Sequence, residues 1–444
     1  MTDMTRRTLL AAAAATASAC ATAPAALLQP AASPAGFSAE GLARIRPALQ
    51  SAVDAGNVPG MVTMLWRRGE LAQVNAIGVR DIAGNLPMER TTIFRLASMT
   101  KPVTVAAALR LMEQGKLRLE DPIARWAPEF ANMRVLKNAS GALDDTYLAP
   151  RAITIEDLMT HTSGITSYGF ISSGPLAEAV TAKFGGGVES DLSPDQWMAA
   201  LGALPLAYAP GERFNYGHGI DVLGFILARI EKAPLRDVMH EQLFAPLKMV
   251  DTDFWIPPAK RSRAASLYMS GAPKSFEPLT MPGFVGPRPP AYTSGGQGLV
   301  SSADDYLTFA RMLMGGGEVD GKRLLKRETV RLMTANRLTP AQKVFSPIMS
   351  IIVNWKAQGF GLGVSVVEDA KAYEASPMGP GASGAFSWNG AFGGNWQADP
   401  AEDLIYIWLQ QASPAPPKPG VFPYFPGGAG FSQFRKLAYA ARTA

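Results

Sequence analysis

Ser98-Met99-Thr100-Lys101 sets a hydroxyl and an amine three residues apart, and that spacing defines the chemistry open to them. Positions i and i+3 share one helix face, so the Lys101 amine and the Ser98 hydroxyl can lie side by side. A serine hydroxyl is a weak nucleophile until a base takes its proton, and a lysine at its ordinary pKa of about 10.4 is a weak base at neutral pH. Burial or a neighbouring cation lowers the lysine. At the start of a helix, the Ser98 backbone N–H also faces the place where oxyanion charge develops. A serine cap ahead of a surface lysine has the same spelling, so context must choose between the two. The chain has no second S-x-x-K, and this copy follows an apolar run expected as a strand over 93–97 and precedes a helix expected over 102–114.

Such a pair needs a proton relay and a second oxyanion donor. Pro210-Gly211-Glu212-Arg213-Phe214-Asn215-Tyr216-Gly217-His218 is a glycine-punctuated loop ahead of a helix, which makes Tyr216 a candidate phenolate base or shuttle, or else a core or rim tyrosine. Ser387-Trp388-Asn389-Gly390-Ala391-Phe392-Gly393-Gly394 reads as a strand with a glycine cluster that lets backbone approach a ligand, offering the Ala391 N–H as donor, or as a bulged strand alone. Rival designs lack their residues. There is no G-x-S-x-G elbow, and His161, His218 and His240 have no metal-ligand spacing and no cysteine pair beside them, so neither metal nor cofactor is expected. His161 and His240 read as structural, at a helix end or loop and on a helix surface. His218 is two residues from Tyr216, and either role is open to it.

The elements that would position these groups come from both ends of the chain. Ser38 caps a helix with Leu42, Ile45, Leu49 and Val53 on one face, and strands are expected over 61–66 and 71–78. Strands recur at 360–367, 384–388, 391–398 and 404–410, before a helix over 431–441. Between them, helices are expected at 155–160, 196–201, 221–231 and 303–314. The pattern predicts an α/β (α+β) fold: one antiparallel sheet flanked by helices, built from 37–120 and 311–444, with a mostly helical lobe of 121–310 inserted. The site would lie in the cleft between lobes, rimmed by the long loops 281–298 and 413–430.

With 47% hydrophobic and 18% charged residues in 444, the chain can bury a large core, and its net charge of +5 comes without a basic stripe that would suit nucleic acid. Residues 1–36 read as an export signal and tether: Arg6-Arg7 followed by Leu9-Leu10 and an alanine-rich run resembles a twin-arginine signal, implying export to the periplasm. Cys20, the only cysteine, follows Ala17-Ser18-Ala19 as at a lipoprotein processing site, which would anchor the chain by a lipid. Cleavage after Ala21-Thr22-Ala23 would instead discard it.

As a set, Phe94-Arg95-Leu96-Ala97-Ser98-Met99-Thr100-Lys101, Ile155-Glu156-Asp157-Leu158-Met159-Thr160-His161-Thr162-Ser163-Gly164, and the stretches 210–216, 295–301 and 388–400 resemble the serine β-lactamase-like superfamily. That superfamily includes class C β-lactamases, DD-peptidases and, most similar, family VIII carboxylesterases. The resemblance implies Ser98 as the acylated nucleophile, Lys101 and Tyr216 as the base system, and Ser98 and Ala391 N–H groups as the oxyanion hole. Two departures point to substrate. Class C enzymes carry Tyr-x-Asn where this chain has His218, and Lys-Thr-Gly where it has Trp388-Asn389-Gly390. Losing that lysine removes a charge-assisted hydrogen bond worth about 1.5–3 kcal/mol to an anionic substrate. A small neutral ester is the expected substrate, with Trp388, Asn389, Gly390, His218, Phe392, Phe284 and Tyr168 around it. A β-lactamase or DD-peptidase, an acyltransferase of the same fold and a non-enzymatic envelope binding lipoprotein are the alternatives.

Overall fold

The computed structural model describes residues 27–29, 35–167, 173–185, 188–344, 353–415 and 424–443. The expected export signal, Cys20, Tyr168 and residues 416–423 of the expected rim loop 413–430 lie outside the described residues. No described helix is long and apolar enough to cross a membrane.

Eight strands form one sheet in which every pairing is antiparallel: β1 Gly60–Arg67, β2 Glu70–Asp81, β3 Leu86–Pro87, β4 Gln358–Phe360, β5 Ser365–Val367, β6 Phe386–Asn389, β7 Asn395–Asp399 and β8 Leu404–Leu409, in the order β4-β5-β6-β7-β8-β1-β2-β3. The C-terminal strands thus meet the N-terminal hairpin at β8 and β1, as the sequence predicts. All eight residues of β1 are buried, because helices cover both faces of the sheet. One face carries α1 (Ala39–Asp54) and the C-terminal helix α7 (Gly428–Ala440), which pack with Leu65, Tyr406 and Trp408. Ser38 starts α1 as expected, its side chain accepting from the Gly41 N–H at 3.0 Å.

The other face carries α2 (Thr100–Glu113) and α6 (Ala303–Met314). Eleven of the fourteen residues of α2 are buried, Thr100, Lys101 and Thr104 among them, so this helix has no wet side. Its position between the sheet and the helices α3 (Ile155–Met159), α4 (Pro194–Gly202) and α5 (Gly219–Glu231) makes it the spine of the main core. The boundary expected at 310 falls inside α6, which packs on β7, β8 and β1 and belongs with the sheet.

Local chemistry shortened several expected strands. The run at 93–97 is a two-residue ladder, Phe94–Arg95 against Val300–Ser301, followed by a 3-10 turn over Ala97–Met99. The run at 360–367 is split, because Gly363 at φ +76 makes the turn between β4 and β5. The stretch from Gly390 to Gly394 forms the hairpin turn before β7, with Gly390 N–H donating to the Gly394 carbonyl at 2.8 Å and Gly393 at φ +86. The last helix begins at Gly428 rather than at 431.

Asp305, in the first turn of α6, links that helix to 251–252 by accepting from the Asp251 N–H at 2.7 Å and the Thr252 hydroxyl at 2.9 Å. Burial, reinforced by the Asp251 charge, pushes its carboxyl up to about 7. A folded-state value above the unfolded value of about 4 means that the fold holds the proton more tightly; the stability it adds is full below pH ~4 and lost as pH rises through ~7. Asp305→Asn, which keeps an acceptor without the charge, is therefore expected to gain on the wild type by up to a few kcal/mol between pH 5 and pH 8. Thermal unfolding of both across that range checks it; parallel curves would remove the assignment.

Candidate active site

The left-handed backbone at Ala97, φ +46, turns the chain so that Ser98 opens α2's approach half-buried rather than inside the core. One turn on, the Lys101 Nζ lies 3.1 Å from Ser98 Oγ, and Lys101 is 3% exposed. The same amine donates to the Gly296 carbonyl at 2.9 Å and lies 4.7 Å from the centre of the Tyr216 ring. The expected pair is thus in hydrogen-bond contact, with Tyr216 beside it.

Three segments fix the lysine. The loop carrying Gly296 is tied to α2 by Thr104 Oγ1 to the Gly295 carbonyl, 2.7 Å, and by Leu299 N–H to Thr100 Oγ1, 3.1 Å. It is tied to α5 by Asp221, whose carboxylate accepts from the Gly296 N–H at 3.0 Å, from the Ser294 hydroxyl and from His218 Nδ1 at 3.0 Å. Burial acts to raise the Asp221 carboxyl, but the His218 hydrogen bond, the Lys101 charge and the Ser294 hydroxyl outweigh it and hold it below the usual carboxylate value. Asp221 therefore stays ionised, aims the Gly296 carbonyl at Lys101 and supplies a buried negative charge near the amine. It was missed in the sequence; the His218-x-x-Asp221 spacing at a helix start was the available signal.

Tyr216 is held by the turn after α3. Asp157 caps α3 reciprocally with Thr154, accepts two hydrogen bonds from Arg151 at 2.6 and 2.8 Å, and takes the Thr162 hydroxyl at 3.0 Å. His161, at φ +56, follows, and its carbonyl accepts the Asn215 N–H at 2.7 Å. Its ring lies 4.4 Å from that of Tyr216, and both ring nitrogens are buried with no hydrogen-bond partner among the described residues. Burial, then the Lys101 charge, drives His161 well below the ordinary histidine value, so the ring is neutral. The structural reading of His161 fits this placement, but it packs on the candidate base rather than on a remote loop.

Trp388 closes the far side of Tyr216, with ring centres 5.6 Å apart, and meets Phe360 edge-on at 5.1 Å. Two positions later comes a close approach: a Cβ on Gly390 would stand 2.2 Å from the Leu96 carbonyl oxygen, so only glycine lets β6 run past the Ser98 turn. The next residue, Ala391, is exposed.

Residues 45–421 match the Beta-lactamase family. The chain belongs to that family. Protein Rv1367c of Mycobacterium tuberculosis is 50% identical over 368 residues, covering 82% of this chain and 89% of that protein. Esterase EstB of Burkholderia gladioli is 29% identical over 393 residues, 83% of this chain and 89% of EstB. Among solved structures, EstCE1, a hydrolase with promiscuous acyltransferase activity, superposes with a TM-score of 0.72 at 29% identity, covering 90% of this chain and 99% of EstCE1. The fold is that of β-lactamase-like esterases and acyltransferases, in keeping with the resemblance seen in the sequence.

Not every residue expected around the substrate takes that place. His218 is 1% exposed, bonded to Asp221 and packed edge-on to Trp197 at 5.4 Å, so the third position of Tyr-x-His serves the lysine loop instead of the cleft wall. Asn389 alternates with Trp388 along β6 and faces the α7 side of the sheet. Phe392 is buried against Ala97 and Leu267, next to the Ser98 turn. Phe284 is buried with Ile93, Ile256 and Val300 and lines a separate cavity of about 310 Å³ beside Ser294 and Gly298, behind the lysine loop.

Proposed function

We propose that the protein hydrolyses small carboxylic esters through an acyl-enzyme on Ser98. The observation that carries this reading is the 3.1 Å contact of Lys101 Nζ with Ser98 Oγ under the Tyr216 ring. Ser98 Oγ attacks the ester carbonyl carbon as its proton passes to the Lys101–Tyr216 pair. The Ser98 and Ala391 N–H groups receive the oxyanion, and collapse expels the alkoxide, which takes the proton back and leaves as the alcohol. Water repeats the sequence and releases the acid.

An ester is favoured over a β-lactam because Trp388, an apolar ring packed against Tyr216 and Phe360, stands where a class C enzyme offers a lysine to the substrate carboxylate. The expected discrimination is at least tenfold. Acyl transfer to an alcohol in place of water is the second reading, supported by the acyltransferase activity named for EstCE1. Initial rates on 4-nitrophenyl esters of C2 to C12 acids, beside nitrocefin and with an added acceptor alcohol, test all three. Short esters should turn over fastest and nitrocefin slowest; nitrocefin cleavage exceeding ester cleavage would move the assignment to β-lactamase.

A further inference from the structure

Under α7, on the face of the sheet away from α2, lies a cavity of about 360 Å³. Strand alternation places it there. Phe386 and Trp388 turn toward the main core and the active site, whereas Ser387 and Asn389 turn the other way, and the register Asn389↔Asn395↔Trp408 carries that face across β7 and β8. The cavity is polar along β6 and β7, at Ser387, Asn389 and Asn395, and apolar toward Trp408 and Phe431.

Two features of its lining suit an anion. Arg435 is 3% exposed, yet among the described residues no carboxylate comes within 4.0 Å of it. Its guanidinium donates to the Pro377 carbonyl at 2.5 Å, neighbours the Tyr406 hydroxyl and lies 4.4 Å from the centre of the Phe431 ring, while its Nε is buried without a partner. Arginine is almost never buried this far unless its charge is matched. The second feature is the N-terminus of α7, a 13-residue helix whose Gly427 and Gly428 line the same space. Among the described residues no side chain caps it, and its first turn holds no acid, so the positive end of its dipole favours an anion there.

We propose that this cavity, whose rim reaches Gly390 and Ala391 at the end of β6, binds a monocarboxylate with a short apolar tail at Arg435, across the sheet from Ser98. The carboxylate pairs with Arg435 at the open end of α7, and the tail lies on Trp408 and Phe431. One guanidinium matches one negative charge, and the apolar wall favours a carbon chain over a bare inorganic anion. The claim does not depend on the reaction at Ser98, and Arg435 lies across the sheet from it. Isothermal titration of the full chain with octanoate, and with octanol as the uncharged comparison, tests it. Octanoate should bind one to one and at least tenfold more tightly than octanol. Arg435→Gln should lose that tenfold and Arg435→Lys should keep most of it. Ser432→Phe, which sets a bulky ring on the cavity lining and leaves Arg435 in the chain, should abolish binding even if the arginine variants fail to fold. Octanoate binding no tighter than octanol, or equal in wild type and Ser432→Phe, would overturn the site.

Discussion

Ser98→Ala is expected to lower kcat/KM for a short 4-nitrophenyl ester by on the order of 10⁴-fold or more, with unfolding temperature nearly unchanged. The loss is large because no other group in the cluster can form the acyl bond: Lys101 is committed to the Gly296 carbonyl and the Tyr216 face, and the His161 ring packs against Tyr216. Stability should hold because Ser98 is half-buried and its hydroxyl contributes one contact, to an amine that keeps its second partner. Steady-state rates and a thermal melt on the same preparations separate the two effects. Ester cleavage that survives Ser98→Ala would sink the proposed nucleophile, and with it the acyl-enzyme.

The second large effect is expected from a single methyl group. Gly390→Ala would set a Cβ 2.2 Å from the Leu96 carbonyl and 3.5 Å from the Ala97 Cβ, and the first of these is backbone that cannot swing aside. Either β6 retreats or the left-handed turn at Ala97 shifts, and in the proposed oxyanion hole both moves would separate the Ala391 N–H from Ser98. Overpacking of this kind costs about 1–3 kcal/mol of stability, and loss of one oxyanion donor lowers kcat by about 10²–10³-fold. The expected signature is a fall in kcat greater than any change in KM, with a modestly lower unfolding temperature. Activity within threefold of wild type would show that the β6 edge is not part of the oxyanion site.

Much of this arrangement was legible in the chain because it rests on short-range rules. The i, i+3 spacing of Ser98 and Lys101 needs only a helix to become a 3.1 Å contact. Alternation and turn chemistry were enough to place the hairpin of β1 and β2 and to join it to the C-terminal strands. Glycine-rich turns were harder. Gly363 and the Gly390–Gly394 segment break runs that look continuous by hydrophobicity, because a turn residue inside an apolar stretch leaves the pattern almost unchanged.

Which face each side chain serves was set by the packing of the elements. Trp388 and Asn389 are neighbours in sequence, but the pleat sends one to Tyr216 and the other to the cavity under α7. His218 sits two residues from Tyr216, yet a helical start turns it toward Asp221 and Trp197, and so into the support of the lysine loop. Arg435 reads as an ordinary helix cation until the sheet and α7 bury it without an acid beside it. Spacing along single elements pointed to the proposed nucleophile, to the amine beside it and to the strands that close the sheet. Asp221, the neutral His161 and the buried Arg435 depend on charge and burial set by segments far apart in the chain, and those arise only when the core closes.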